Sequence, residues 1–139
     1  MTSELKLELQ ELLKITVPFW ETLGLQLKEV GQGRAVFEVE VHPGLLQKRN
    51  VVHGGVMASI ADSACAVAGM TMVFPENYVT TINLQVAYLR PVAEGRIRAE
   101  GVCVKAGRTV VFSEARMWDG RETLVCTATS QLMVLPVKG

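Results

Sequence analysis

A nineteen-residue apolar run built mainly from small side chains, residues 56–74, constrains the fold of this chain more than any other segment. It is rich in Ala, Gly and Ser and holds one charged residue, Asp62, near its middle. A membrane span is not expected, because these side chains are weakly apolar and a central carboxylate costs about 3 kcal/mol in a bilayer. A helix that is apolar all round but made of small residues is typical of one surrounded by protein. We therefore predict a buried central helix over about residues 54–73.

Periodicity predicts one further helix and six strands. Leucines at helical spacing predict a short amphipathic helix over about residues 4–14, which Pro18 ends, with Phe19 and Trp20 following as apolar anchors. Alternating segments predict strands at about 25–30 and 37–41 before the central helix, and at about 79–90, 95–105, 108–118 and 121–134 after it. The turn signals between them include Ala106-Gly107 and a two-residue hairpin at Asp119-Gly120.

This order of elements predicts a single α+β domain over residues 1–139, with an antiparallel sheet curled around one helix. Small helix side chains allow the sheet to approach closely. The convex face and the edges of such a sheet must then be wet, charged or covered by another subunit.

Composition narrows the function classes. Lysine and arginine number 14, as do aspartate and glutamate, so a nucleic-acid binder that relies on a broad basic surface is not expected. The three cysteines (Cys65, Cys103 and Cys126) are widely spaced in apolar runs and predict packing residues in a reduced, cytoplasmic compartment. No metal-ligand spacing emerges. The acidic N-terminus is unlike a signal peptide.

The segment from His53 to Asp62 carries the chemistry. Two glycines at the expected start of the central helix would let an anionic atom approach bare backbone N–H groups. Asp62 follows two turns later, and a lone carboxylate in an apolar helix is expensive unless it has a task or a partner. Together they indicate a polarised carbonyl group and a base or nucleophile that acts on it.

The length of this segment has a consequence for assembly. Gly54 and Asp62 are eight residues apart on one helix, which is about 12 Å by helical rise. They cannot both touch one carbonyl group. If both act on one substrate, they come from different chains, so we predict a two-fold homodimer with two equivalent sites.

The motif Gln47-x5-His53-Gly54-Gly55-x6-Asp62, followed by the strand from Thr81 that ends Tyr88-Leu89-Arg90-Pro91, resembles the hotdog-fold thioesterases. The resemblance is to the PaaI-like acyl-CoA thioesterases of phenylacetic acid degradation, and it covers about residues 18–136. It implies a hotdog fold and hydrolysis of an acyl- or aryl-CoA, with coenzyme A as part of the substrate and no metal or redox cofactor. For the assembly we expect the homodimer that the helix geometry predicts, or a tetramer formed as a dimer of dimers.

The resemblance also assigns roles to residues. The helix-start glycine whose N–H polarises the thioester carbonyl falls on Gly54, and the acid that serves as nucleophile or general base falls on Asp62. The amide side chain falls on Gln47, and the hydroxyl that positions the water or the acid falls on Thr81. In the dimer, Gly54 and Gln47 of one subunit would face Asp62 and Thr81 of the other. His53 completes the motif as a candidate catalytic residue, but its sequence surroundings favour a structural role, in which it caps the helix or bonds a backbone carbonyl.

Other residues are candidates for substrate binding. Many members of the family have glycine where this chain has Asn50, which leaves open whether Gln47 or Asn50 supplies the amide contact. The remaining candidates are Gly55 and Ser63 beside the motif, and Arg90, Lys105, Gly107 and Arg108 at strand ends and turns, where the cationic side chains could meet the phosphates of coenzyme A. Two rival functions stay open: a hotdog dehydratase or hydratase, and a non-catalytic acyl-CoA-binding module.

Overall fold

The computed structural model describes residues 2–137, and the side chains of all of these except residues 14–16. Within them, three α-helices and six β-strands follow in chain order: α1 (Ser3–Thr16), α2 (Pro18–Leu23), β1 (Gln26–Gly31), β2 (Arg34–Glu40), α3 (Gly54–Met70), β3 (Asn77–Tyr88), β4 (Arg96–Ala106), β5 (Val110–Trp118) and β6 (Leu124–Pro136). The strands form one antiparallel sheet in the order β1-β2-β4-β5-β6-β3. The sheet packs around α3, which confirms the predicted α+β hotdog architecture.

Small side chains bring α3 close to the sheet, as the sequence predicts. Ala61, Ala64 and Ala68 are fully buried on its inner face. On β4 the facing residue is Gly101, where a Cβ atom would overlap the backbone carbonyl of Ala64. The contact between helix and strand is therefore backbone against backbone, and it fixes the position of α3 over the sheet.

The central helix is shorter than predicted. It ends at Met70 rather than at about residue 73, and a turn leads from there into β3. The Thr71 hydroxyl donates to the Ala68 carbonyl at 2.7 Å and accepts the Gly33 N–H at 2.7 Å, which ties the end of α3 to the turn between β1 and β2. Pro75 also disfavours helical backbone in the residue before it.

The N-terminal segment differs from expectation in two ways. The predicted helix over residues 4–14 exists as α1, but Pro18 begins the short helix α2 as well as separating it from α1, and proline is well suited to a first helical position. Phe19, expected to be an apolar anchor, is 52% exposed. Trp20 is the true anchor, because it is buried with its ring edge-on to Phe37 at 4.9 Å between centroids.

The turn between β5 and β6 is longer than the predicted two-residue hairpin. It spans residues 119–123 and is closed by the Asp119 N–H donating to the Thr123 carbonyl at 3.0 Å. The Asp119 carboxylate accepts the N–H groups of Arg121 and Thr123 at 2.9 and 3.0 Å. This local side-chain bonding stabilises a wider loop, in which Glu122 takes the left-handed conformation.

Strand β3 lies at an edge of the sheet. Although β4 follows it in the chain, β3 pairs with β6 from Asn77↔Pro136 to Tyr88↔Cys126, and its other edge has no strand beside it within the described chain. At twelve residues it is a long edge strand, and Ile82 near its centre is 48% exposed. Soluble proteins rarely leave such an edge uncovered.

No helix in residues 2–137 combines the length and apolar character that crossing a bilayer requires.

Candidate active site

The start of α3 is organised by His53. As the N-cap residue, His53 accepts the Gly55 N–H on its Nδ1 atom at 2.8 Å. The His53 carbonyl receives the N–H groups of Val56 and Met57 at 2.9 and 3.3 Å. The Gly54 N–H has no acceptor among the residues that the structure describes. Of the two glycines, Gly54 is therefore the one whose N–H remains available to a ligand.

A tyrosine holds the other side of this helix start. Tyr88, the last residue of β3, donates its hydroxyl to the Gly54 carbonyl at 2.7 Å. A Cβ atom on residue 54 would come within 3.3 Å of the Tyr88 ring and hydroxyl. A pocket of about 340 Å³ opens beside this contact, and its lining is mostly apolar: Val52, Gly54, Met57, Tyr88, Leu89, Arg90, Pro91 and Val92.

The carboxylate of the motif is held by the same strand. Thr81 on β3 donates its hydroxyl to Asp62 Oδ1 at 2.7 Å, and both side chains are half-buried. The second oxygen, Oδ2, has no partner among the described residues. One oxygen of Asp62 is thus fixed while the other is available for chemistry.

The loop before α3 explains how this chain can have Asn50 where many members of the family have glycine. Asn50 takes a φ angle of 61°, a left-handed conformation that glycine adopts freely and that asparagine tolerates better than most residues. Its N–H donates to the Gln47 carbonyl at 2.9 Å, and the Gln47 Oε1 atom accepts the Arg49 N–H at 2.6 Å. Asn50 thus preserves a turn that a glycine would also make. The Gln47 oxygen stabilises its own loop, so a substrate contact from Gln47 would use its NH2 group.

The remaining predicted contacts are spread over the molecule. Ser63 Oγ accepts the Trp20 Nε1–H at 2.9 Å and donates to the Ser59 carbonyl at 2.9 Å, so its bonds serve the packing of α2 on α3. Gly107 sits in a turn where a Cβ atom would come within 2.6 Å of the Val110 carbonyl oxygen, which gives it a structural reason to be glycine.

One chain does not bring the predicted cations together. Arg90 follows the Tyr88 end of β3. Lys105, near the end of β4, and Arg108, in the turn that follows, lie at the same end of the sheet as Thr80, with β6 between β5 and β3. Eight residues of strand separate these two ends, or about 27 Å. Within one protomer, Arg90 and Arg108 cannot bind the same group.

Two residues escaped sequence reasoning. Tyr88 belongs to the motif that carries the resemblance, but its pattern in the strand gave no sign that the hydroxyl reaches Gly54. Trp20 was expected only as an apolar anchor, and its bond to Ser63 depends on how α2 packs against α3. Both contacts join residues far apart in sequence, so no local spacing could have indicated them.

The thiol pKa values of the three cysteines are raised, as is typical of buried packing residues. Burial, with a smaller effect of the nearby Asp62 charge, raises the pKa of the Cys65 thiol to about 12. Burial raises the pKa of Cys126 to about 11 and raises the pKa of Cys103 as well. Nucleophilic cysteines need a lowered pKa, so these thiols are poor candidates for catalysis.

The family follows from comparison with known proteins. Residues 49–126, which contain both Gly54 and Asp62, match the family model described as Thioesterase superfamily. The chain belongs to the thioesterase superfamily. Among curated relatives, the 1,4-dihydroxy-2-naphthoyl-CoA hydrolase of Listeria monocytogenes is 25% identical over 82% of this chain and 93% of its own. The medium/long-chain acyl-CoA thioesterase YigI of Escherichia coli is 27% identical over 96% of this chain and 97% of its own.

A solved structure supports the finer resemblance. A mutant of the phenylacetic acid degradation protein PaaI from Thermus thermophilus is 30% identical and superposes with a TM-score of 0.79, over 86% of this chain and all of that chain. The predicted PaaI-like resemblance is thereby confirmed, as is the prediction of an enzyme that hydrolyses thioesters. In this chain, the helix α3 carries both an N–H group without an acceptor among the described residues and a carboxylate fixed by Thr81.

Proposed function

We propose that this thioesterase hydrolyses the CoA thioesters of acyl or aryl acids at two composite sites, each built from both subunits of a homodimer. The observation that carries the proposal is the pair of groups on α3: the Gly54 N–H, which has no acceptor among the described residues, and the Asp62 carboxylate, which Thr81 holds through one oxygen. The named activities of the two curated relatives, both CoA-thioester hydrolases, support the substrate class.

In the proposed reaction, negative charge develops on the carbonyl oxygen of the thioester and must be stabilised. The Gly54 N–H lies at a helix N-terminus, where the helix dipole adds to the stabilisation of an oxyanion. The Asp62 Oδ2 atom can take a proton from a water that attacks the carbonyl carbon and pass that proton to the departing thiolate of coenzyme A. Alternatively, Oδ2 attacks the carbon itself and expels the thiolate, which gives a mixed anhydride that water then hydrolyses, and a proton from that water ends on the thiol. Water is consumed, and a free acid and a thiol are formed. The reaction as proposed uses no metal or redox cofactor.

The edge position of β3 supports the dimer. If the free edges of two β3 strands pair antiparallel across a two-fold axis, the Tyr88 end of one strand runs past the Thr81 end of the other. Gly54 lies against Tyr88 and Asp62 lies against Thr81, so this pairing carries Gly54 of one subunit toward Asp62 of its partner. It also covers an edge that would otherwise be open to aggregation.

The same two-fold axis accounts for the separated cations. Antiparallel pairing of β3 would carry Arg90 of one subunit toward the β4–β5 turn of the other, which holds Lys105 and Arg108. We propose that these side chains bind the phosphates of coenzyme A at the mouth of each site, with the arginines as bidentate partners.

Thiol release from a panel of short, medium, long and aromatic acyl-CoAs tests the proposal. The wild-type protein should release free thiol, and Asp62→Asn should lower kcat by about 10²–10⁴, the usual contribution of a positioned acid or base. Asp119→Asn is the matched control, since it removes one negative charge at the β5–β6 turn, and it should keep wild-type activity. Absence of thiol release on every substrate, or equal rates for wild type and Asp62→Asn, would refute the proposal. Conversion of a hydroxyacyl-CoA to an enoyl-CoA without thiol release would favour the dehydratase.

A further inference from the structure

We propose that Tyr88 is a positioning residue for the oxyanion-binding N–H group of Gly54. The inference rests on the proposed function, because it concerns how the same site is held in its active geometry. Tyr88 touches the backbone of α3 through its hydroxyl, and no other side chain in the described chain bonds to the Gly54 carbonyl.

The peptide unit between Gly54 and Gly55 is held at both of its polar atoms. Its carbonyl oxygen accepts the Tyr88 hydroxyl at 2.7 Å, and its N–H donates to His53 Nδ1 at 2.8 Å. Two successive glycines would otherwise be the softest part of the helix start, since glycine has the widest range of backbone conformations. The two bonds together fix the rotation of this peptide, and so fix the direction of the neighbouring Gly54 N–H.

Strand β3 bonds to α3 at both ends of the motif, at the Asp62 carboxylate and at the Gly54 carbonyl. Thr81 bonds the Asp62 carboxylate, and Tyr88, seven residues later on the strand, bonds the Gly54 carbonyl. The rigid strand therefore sets the spacing between the two functional points of α3. In the composite site it would set the geometry of both halves, each donated to a different active site.

Because Tyr88 is exposed, its role in positioning Gly54 can be tested without disturbing the fold. In the single chain the Tyr88 side chain is 55% exposed and lies at the end of its strand, so removal of the hydroxyl alone leaves no buried polar atom of that chain unpaired. Tyr88→Phe keeps the ring that lines the pocket and deletes only the bond to Gly54. We therefore expect a folded variant with a melting temperature like that of the wild type.

The matched control is available in the chain itself. Tyr78 lies on the same strand, is 39% exposed and makes no side-chain hydrogen bond within the described residues. Tyr88→Phe should lower kcat about tenfold with KM changed less than about twofold, since a small misplacement of a transition-state donor lowers kcat more than it affects binding. Tyr78→Phe should match the wild type in both constants.

Infrared spectroscopy gives a readout that a purely structural role would not change. An acyl-CoA with a ¹³C-labelled thioester carbonyl, bound to the slow Asp62→Asn variant, should show its carbonyl stretch shifted to lower frequency. Adding Tyr88→Phe should reduce that shift, whereas adding Tyr78→Phe should not.

The outcomes separate the inference from the function on which it rests. A wild-type kcat in Tyr88→Phe, with Asp62→Asn still slow, would overturn the positioning role alone. A rise in KM with unchanged kcat would also overturn it, because Tyr88 would then only bind substrate. If wild type and Asp62→Asn hydrolyse equally, the proposed function itself fails.

Discussion

Replacing Gly54 with proline removes the one atom on which the oxyanion argument depends. Proline lacks the N–H group, and position 54 is the first residue of α3, where proline is favoured in helices. The preceding residue, His53, has φ −61° and ψ 137°, which is the extended conformation that a residue before proline requires. The substitution should therefore delete the hydrogen-bond donor and leave the helix start intact.

The magnitude follows from the unpaired state of this donor. Because the Gly54 N–H has no acceptor in the described chain, its loss disrupts no internal bond, and the whole effect should appear in catalysis. One oxyanion donor contributes about 2.7–4 kcal/mol, so kcat should fall by about 10²–10³. The melting temperature should change little.

Gly54→Ala is the matched variant, since it adds a Cβ atom and keeps the N–H. That Cβ atom would lie 3.3 Å from the Tyr88 hydroxyl, and the exposed tyrosine can move by the few tenths of an ångström needed. Gly54→Ala should lose less than about tenfold in kcat, well below the loss for proline. Steady-state thiol release and a thermal melt measure both effects. Equal losses in the two variants, with both folded, would show that space at position 54 matters and that the N–H does not.

Three further predictions concern the fold. Gly101→Ala should lower the free energy of unfolding, measured by urea denaturation, by about 3 kcal/mol or more, because its Cβ atom would overlap a helix carbonyl. Gly31→Ala has open space around it and should lower that free energy by less than about 1 kcal/mol. Similar losses for both variants would refute the close contact between helix and sheet. Burial raises the pKa of Cys65 from 9.0 to about 12, so the protonated thiol contributes stability that is fully present below pH 9 and is lost between pH 9 and 12. In Cys65→Ala, the free energy of unfolding should therefore fall less above pH 9, by about 1.4 kcal/mol less at pH 10. The same pH dependence in both proteins would contradict the burial of the thiol. Asn50→Gly should leave the melting temperature unchanged or raised, while Asn50→Val should lower the unfolding free energy by about 1–2 kcal/mol, and a neutral valine would rule out the left-handed turn.

The elements, and the wrapping of the sheet around α3, could be predicted from the sequence, but the order of the strands within the sheet could not. Period and turn residues located all six strands to within a few residues, because strand formation leaves a local pattern of alternating side chains. The placement of β3 beside β6 leaves no such pattern, since it depends on contacts between residues far apart in sequence. The hairpin at Asp119 was wrong because the aspartate side chain bonds its own loop and favours a wider turn.

In the candidate site, too, some residues could be found from the sequence and others required the structure. Gly54 and Asp62 could be found because their chemistry is unusual for an apolar helix and their spacing can be counted. The bonds from Thr81 and Tyr88 required the structure, because they depend on which strand lies beside the helix. Thr81 was anticipated only through the family resemblance, and Tyr88 was quoted in the motif without a role.

Complementation between two inactive variants tests the composite site most directly. Gly54→Pro and Asp62→Asn should each keep about 1% or less of wild-type activity as pure proteins. When the two are unfolded, mixed in equal amounts and refolded together, half of the dimers should combine one chain of each kind. Each such dimer regains one intact site, with Gly54 from one chain and Asp62 from the other, so the mixture should show about a quarter of wild-type activity. A refolded mixture with folded, mixed dimers and no activity above the separate variants would contradict the shared site.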